Sequence, residues 1–271
     1  MNRLFTFGCS FTRYFWPTWA DILGKEFDYY ENWGRSGGGN QYIFNSLIEA
    51  KRRNNFSKDD TIIIMWSNVT REDRYINNKW KTPGNIFTQN LYPDGFVKKF
   101  ADDRGYLIRD LATISAAADL LEYWGVKYHF LSMVPIDNLD QYTKKLSPDL
   151  DVLNLYSSTI EKIKPSIYEV IFNFNWTSRF NIVKSTLDQN HIGVIDQIFN
   201  KKKYKVVTDL HALPAYHLEY LEKILPEYSI SNSTKEWVKQ IDMETRKSAI
   251  EDIDFYSKKN DNNTATPKKR L

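Results

Sequence analysis

The sequence predicts an α/β protein in three layers, a central parallel sheet with helices on both faces. Two observations predict it. Short apolar runs rich in β-branched and aromatic residues recur at 4–7, 61–66 and 127–134, and segments with helical spacing of apolar residues lie between them. Strands that alternate with helices need crossover connections, which make neighbouring strands parallel and cover the sheet on both sides.

Residues 4–7 (Leu-Phe-Thr-Phe) form the first strand, 16–27 a helix, and 28–33 a second strand. The next helix, over 40–53, carries Tyr42, Ile43, Leu47 and Ile48 at helical spacing, and 61–66 is a buried third strand. Over 106–124, Leu107, Leu111, Ile114, Ala118 and Leu121 mark another helix, stopped by Gly125 before the fourth strand at 127–134. Beyond Pro135 the pattern weakens to a helical 150–163, a strand-like 168–174 and a polar stretch over 173–190. Val206-Val207-Thr208 is short enough for either a last strand or a loop. A helix over 215–225 is stopped by Pro226. Ser233 and Glu236 read as a capping box ahead of a final helix that runs to about residue 256. This divides the chain into an α/β domain over 1–228, a helical extension over 229–256 and a mobile basic tail over 257–271.

Residues 69–105 break the alternation. The segment is dense in Trp80, Phe87, Tyr92, Phe96 and Phe100 and is interrupted by Pro83-Gly84 and Pro93-Asp94-Gly95. Loops of that length in compact domains are usually functional, and open α/β sheets hold ligands at the C-terminal ends of their strands. A lid that shapes a substrate is one reading; an aromatic minor core or an oligomer contact is the other.

Composition excludes several classes. With 271 residues, 42% hydrophobic and 26% charged, the chain is neither disordered nor too small to build its own core. Lys+Arg 37 against Asp+Glu 34 gives a net charge of only +3, with visible excess base in Lys268-Lys269-Arg270, so no nucleic-acid partner is expected. Cys9 is the one cysteine and has no internal partner, which favours a reducing compartment. The apolar start is too short for a signal segment, and no run approaches the roughly 18 apolar residues of a spanning helix. The expectation is a soluble cytoplasmic protein with no membrane span.

Four constellations fall at strand ends. Gly8-Cys9-Ser10-Phe11-Thr12 offers a serine hydroxyl and backbone N–H groups in a tight turn, although Ser10 also suits a helix N-cap. The stretch from Asn32 to Asn40 contains Gly34, Gly37, Gly38 and Gly39, and fits neither dinucleotide nor phosphate-loop spacing. It is an oxyanion-type donor or a plain turn. Trp66-Ser67-Asn68 ends the third strand with a side-chain amide able to donate, and Arg71, Asp73 and Arg74 follow as candidate substrate-orienting groups. Finally, Asp209 and His211 stand close enough for a turn to aim both into one pocket, with His217 six residues on. His211 and His217 lack metal-ligand spacing, and His129 and His191 read as structural.

In this order the four pieces resemble the SGNH, or GDSL-like, hydrolases. The resemblance implies a flavodoxin-like three-layer fold and an ester-cleaving or acyl-transferring enzyme without metal or cofactor. It implies Ser10 as nucleophile, Gly37 and Asn68 as oxyanion donors beside the Ser10 N–H, and His211 as the base with Asp209 orienting it. His217 is the alternative base. The matches are thin and spread over residues 8–217, and the sequence departs from the family pattern at four places. Cys9 replaces the Asp of Gly-Asp-Ser, Trp66-Ser67-Asn68-Val69 stands for Gly-x-Asn-Asp, and Ala212 and Tyr216 replace a Pro and a Gly. The substrate class implied is a small acyl ester or acylated saccharide, with water or a sugar hydroxyl as acceptor. A hydrolase scaffold reduced to a binding or assembly module is the competing reading. Oligomeric state is not legible.

Overall fold

The structure, a computed structural model, describes residues 2–87, 92–137, 149–175 and 211–247. Asp209, His191, the 206–208 run, most of the 173–190 stretch and the 257–271 tail lie outside the described residues.

Among the described residues four parallel strands form the central sheet: β1 (Arg3–Phe7), β2 (Tyr29–Asn32), β3 (Asp60–Trp66) and β6 (Lys127–Ser132), in the order β2-β1-β3-β6. All seven residues of β3 are buried, as a strand covered on both faces requires. Successive side chains point to opposite faces. Leu4, Ile63, Met65 and Leu131 therefore meet α1 (Trp19–Gly24) and α8 (Pro214–Ile224), while Phe5, Phe7, Ile62, Ile64 and Trp66 meet α2 (Asn40–Asn54) and α4 (Asp103–Trp124). These two cores are the two interfaces of an α/β/α sandwich. A final helix, α9 (Asn232–Lys247), buries Val238 in the first of them. Among the described residues no helix is long and apolar enough to cross a membrane.

The chain leaves β1 for β2 on one side, then returns past β1 to form β3 on the other. The strand order therefore reverses between β1 and β3, and at such a switch point open parallel sheets hold ligands at the C-terminal edge. Ser10 and Asn68 both stand on that edge.

Several elements differ from the sequence reading. Helix α1 starts only at Trp19, because Pro17 precedes Thr18, whose capping box with Asp21 fixes the start. Ser10 is consequently not the cap of that helix. The 168–174 run is no strand: Ser166 and Glu169 form a capping box that opens α7 (Ile167–Val170). Residues 150–163 break into α5 (Leu150–Leu155) and α6 (Ser157–Ile160), with Ile163 bridged to Phe130 beside β6. At the start of α9 it is Ser231, not Ser233, whose Oγ accepts from the Thr234 N–H, at 3.3 Å. Gly125 ends α4 in the left-handed conformation, as its position after the helix predicts.

In the 69–105 segment, residues 69–87 and 92–105 are described and carry regular elements. It begins with the antiparallel hairpin of β4 (Arg71–Ile76) and β5 (Lys79–Asn85), followed by α3 (Asp94–Phe100) and the start of α4. Asn77 and Asn78, both at positive φ (52° and 59°), make the two-residue turn whose twist matches paired strands.

Candidate active site

After β1 the chain turns sharply, with Thr12 N and Arg13 N donating to Cys9 O at 3.0 and 3.1 Å. Gly8 permits this turn, since a Cβ there would stand 2.0 Å from Thr12 Oγ1. Thr12 O accepts from Thr18 Oγ1 (2.6 Å) and from Asn32 Nδ2 (2.8 Å). Asn32 Oδ1 accepts from Gly34 N at 2.9 Å, so one side chain ties the loops after β1 and β2 together. Beneath them lies Asp21, bonded by Thr18 and Asn32, its carboxyl raised above the usual range by burial.

Ser10 sits on this turn, 5% exposed, and its Oγ lies 2.8 Å from His211 Nε2. The imidazole is held from one face by the Tyr14 ring, stacked at 3.8 Å between centroids and 17° between planes, and Phe11 lies 4.9 Å away. Its backbone is anchored too, because Trp16 Nε1 donates to Ala212 O at 2.7 Å. The turn that carries the serine thus also carries three aromatic side chains that hold the histidine loop.

His217 has a different setting. It lies in the first turn of α8, fully buried, with Nδ1 bonded to no partner among the described residues. Burial first, and the neighbouring His211 second, push its pKa down to about 3. It is a neutral core imidazole, and His211 is the one that meets Ser10.

The loop after β2 is shaped by the hairpin. Gly37 has φ +72°, and a Cβ there would stand 2.0 Å from Thr82 O, so only glycine fits. Arg35 donates through Nη2 to Trp80 O (2.7 Å) and through Nε to Thr82 Oγ1 (3.2 Å), while Thr82 Oγ1 donates to Ser36 O at 2.8 Å. Gly39 begins α2 without a side chain to cap it. Asp73 from β4 supplies the missing acceptor, taking Gly39 N and Tyr42 N, each at 2.9 Å. Arg35 N donates to Gly8 O at 3.0 Å, which brings this loop against the serine turn. The N–H groups of Ser10 and Gly37 donate to no described residue.

Asn68 follows β3. Its Oδ1 accepts from Thr70 N (2.8 Å) and Thr70 Oγ1 (2.6 Å), which fixes the carboxamide and leaves Nδ2 as the end able to donate elsewhere. Arg71 donates to Gly38 O (3.0 Å) and reaches Met133 Sδ (3.5 Å), whereas Arg74, half exposed, pairs with Glu72 at 2.7 Å and lies over Phe96. Arg71 therefore supports the glycine loop from below, and Arg74 belongs to the hairpin surface.

Behind Asn68 stands a buried polar group. Asn40, Asp110, Arg109, Glu72 and Tyr106 form a continuous chain of hydrogen bonds and ion pairs. Burial raises the Asp110 carboxyl to about 7 against the opposing pull of Arg109 and Asn40. The sequence reading took Asp73 for a group that orients substrate, where the structure makes it the cap of α2, and it gave no role to Asn40 or Asp110. Each sits in an unremarkable polar context along the chain, and only their partners, 27 to 70 residues away, show what they do.

Two solved structures are similar to this chain. One is a member of the lipolytic protein G-D-S-L family from Veillonella parvula, 18% identical, with TM-score 0.38, covering 66% of this chain and 84% of that one. The other is a GDSL-like lipase from Bacteroides thetaiotaomicron, 13% identical, with TM-score 0.39, covering 83% of this chain and 86% of that one. No protein-family model and no curated protein matches the chain. The chemistry of the site is accordingly read from its own geometry.

Proposed function

We propose that this chain is a serine ester hydrolase of the SGNH kind, acting through a covalent acyl-enzyme on small acyl esters, with O-acetylated carbohydrate as the natural substrate class. The observation that carries this reading is the 2.8 Å contact between Ser10 Oγ and His211 Nε2, residues 201 apart in sequence. A hydroxyl and an imidazole brought together over that distance, on the ligand-binding edge of a parallel sheet, form the pair that nucleophilic catalysis needs.

His211 acts as general base. Its Nε2 takes the Ser10 proton, which requires the ring's own proton on Nδ1, and Asp209 is the carboxylate assigned to hold it there. The freed Ser10 oxygen bonds to the acyl carbon, and the carbonyl electrons move onto its oxygen. The N–H groups of Ser10 and Gly37 and the Asn68 amide receive that charge. The adduct collapses, the ester C–O bond breaks, and His211 returns the proton to the departing alcohol. Water, deprotonated by the same imidazole, then releases the carboxylate and restores Ser10.

Wild-type protein is expected to hydrolyse p-nitrophenyl acetate and to be labelled by a fluorophosphonate at Ser10. Ser10→Ala is expected to abolish labelling and lower kcat by about 10⁴-fold. Wild-type protein that is inert to short acyl esters and unlabelled overturns the reading, as does undiminished turnover in Ser10→Ala.

A further inference from the structure

We infer that Asn40 is a positioning residue, locked by Asp110, which sets the spacing between the loops that carry Gly37 and Asn68; the inference rests on the ester-hydrolase reading of the site. Asn40 is the first residue of α2, three positions after Gly37, and is 0% exposed. Its Nδ2 donates to Ser67 O at 3.1 Å and its Oδ1 accepts from Ser67 N at 2.8 Å. This is the two-way exchange by which paired strands hold register, made here by one side chain. Ser67 immediately precedes Asn68. The loop after β2 and the loop after β3 are thereby joined at a fixed separation by a side chain whose hydrogen bonds go to Ser67 and Asp110, not to Ser10 or His211.

Asp110 determines which way the carboxamide faces. Its Oδ2 accepts the second Nδ2 proton of Asn40 at 2.7 Å, so both donors and the acceptor of the amide are engaged, and exchanging N for O would set acceptor against acceptor. Arg109 in turn donates to Asp110 Oδ1 at 2.7 Å, and its Nη2 donates to Arg71 O (2.9 Å) and Val69 O (3.4 Å). Helix α4 thus grips the Asn68 loop on both sides, through Asn40 at Ser67 and through Arg109 at Val69 and Arg71. A fully bonded polar group buried this deeply is costly to place and rigid once satisfied. Rigidity is what oxyanion donors need, since their effect depends on being aimed before charge develops.

The test compares Asn40→Ala, Asn40→Asp, the double variant Asn40→Asp/Asp110→Asn and Ser10→Ala. Readouts are kcat and KM on p-nitrophenyl acetate and Ki for a trifluoromethyl ketone, whose adduct with the serine carries an oxyanion. Asn40→Ala and Asn40→Asp are expected to lower kcat by roughly 30-fold and raise Ki in parallel, with KM within about threefold of wild type. Asn40→Asp sets two carboxyls against each other. The double variant restores a donor–acceptor pair between positions 40 and 110, though not the bond to Ser67 O, and is expected to recover about threefold of the lost kcat. Folded Asn40→Ala with wild-type kcat and Ki overturns the inference. If that variant does not fold, absence of recovery in the double variant relative to Asn40→Asp overturns it equally. Failure of the hydrolase reading itself looks different, because the wild type is then inert and unlabelled or Ser10→Ala keeps its activity.

Discussion

His211 and His217 lie six residues apart and meet opposite environments. The first stands at the end of a loop, against Tyr14 and within 2.8 Å of the Ser10 hydroxyl. The second is carried by α8 into the core, where burial and its neighbour drive its pKa down to about 3. Residue type supplies the same imidazole in both places. The difference lies in the element that carries it: a loop on the sheet edge leaves a ring nitrogen facing a hydroxyl, while a helix face directs the ring among Phe11 and the apolar residues around it.

Exchanging the two histidines one at a time tests this contrast most severely. His211→Ala is expected to lower kcat on p-nitrophenyl acetate by about 10⁴-fold with little change in thermal stability. His217→Leu is expected to keep kcat within a few-fold. Equal losses in both variants would show that the contrast in setting has no functional counterpart.

A smaller effect is expected from Gly37→Ala. The added Cβ meets Thr82 O at 2.0 Å in a backbone at φ +72°, so the loop must shift away from the hairpin. Displacing a proposed donor in this way is expected to lower kcat by about 100-fold while KM changes less, which steady-state kinetics on the same ester would reveal. Wild-type kcat in this variant would separate Gly37 from the reaction.

The last expectation sharpens the comparison from the side of stability. The folded-state pKa of His217 is lowered from 6.5 to about 3, so folding favours the neutral ring. Its stabilising contribution is complete above the unfolded value and is lost as pH falls from about 6.5 toward 3. Between neutral pH and about pH 4 this amounts to roughly 3 kcal/mol. Urea denaturation at the two pH values should show that loss in the wild type and a smaller one in His217→Leu. An unchanged pH dependence would remove His217 from the acid response.

Local chemistry made much of the fold legible. The β1, β3 and β6 runs, the amphipathic α2 and α4, and the Gly125 stop follow from residue patterns spanning one or two turns. The misreadings have equally local causes. The 168–174 run is aromatic and β-branched, but the Ser166–Glu169 capping box decides its conformation. The hairpin in the long insertion was announced by Asn77-Asn78, a pair suited to positive φ, yet charged residues on β4 and β5 gave no apolar alternation to read.

The sequence by itself determined which residue types stand at the strand ends: a serine after a glycine turn, glycines and an amide on the next loops, and a histidine late in the chain. Those placements depend on short-range constraints of strand, turn and cap. Only the tertiary structure decided that His211 rather than His217 faces Ser10, that Asp73 caps α2 from another element, and that Asn40, held by Asp110, joins the loops after β2 and β3. Hydrogen bonds act over about 3 Å of space whatever the separation along the chain, and the order of strands in a parallel sheet sets which distant loops come within that reach.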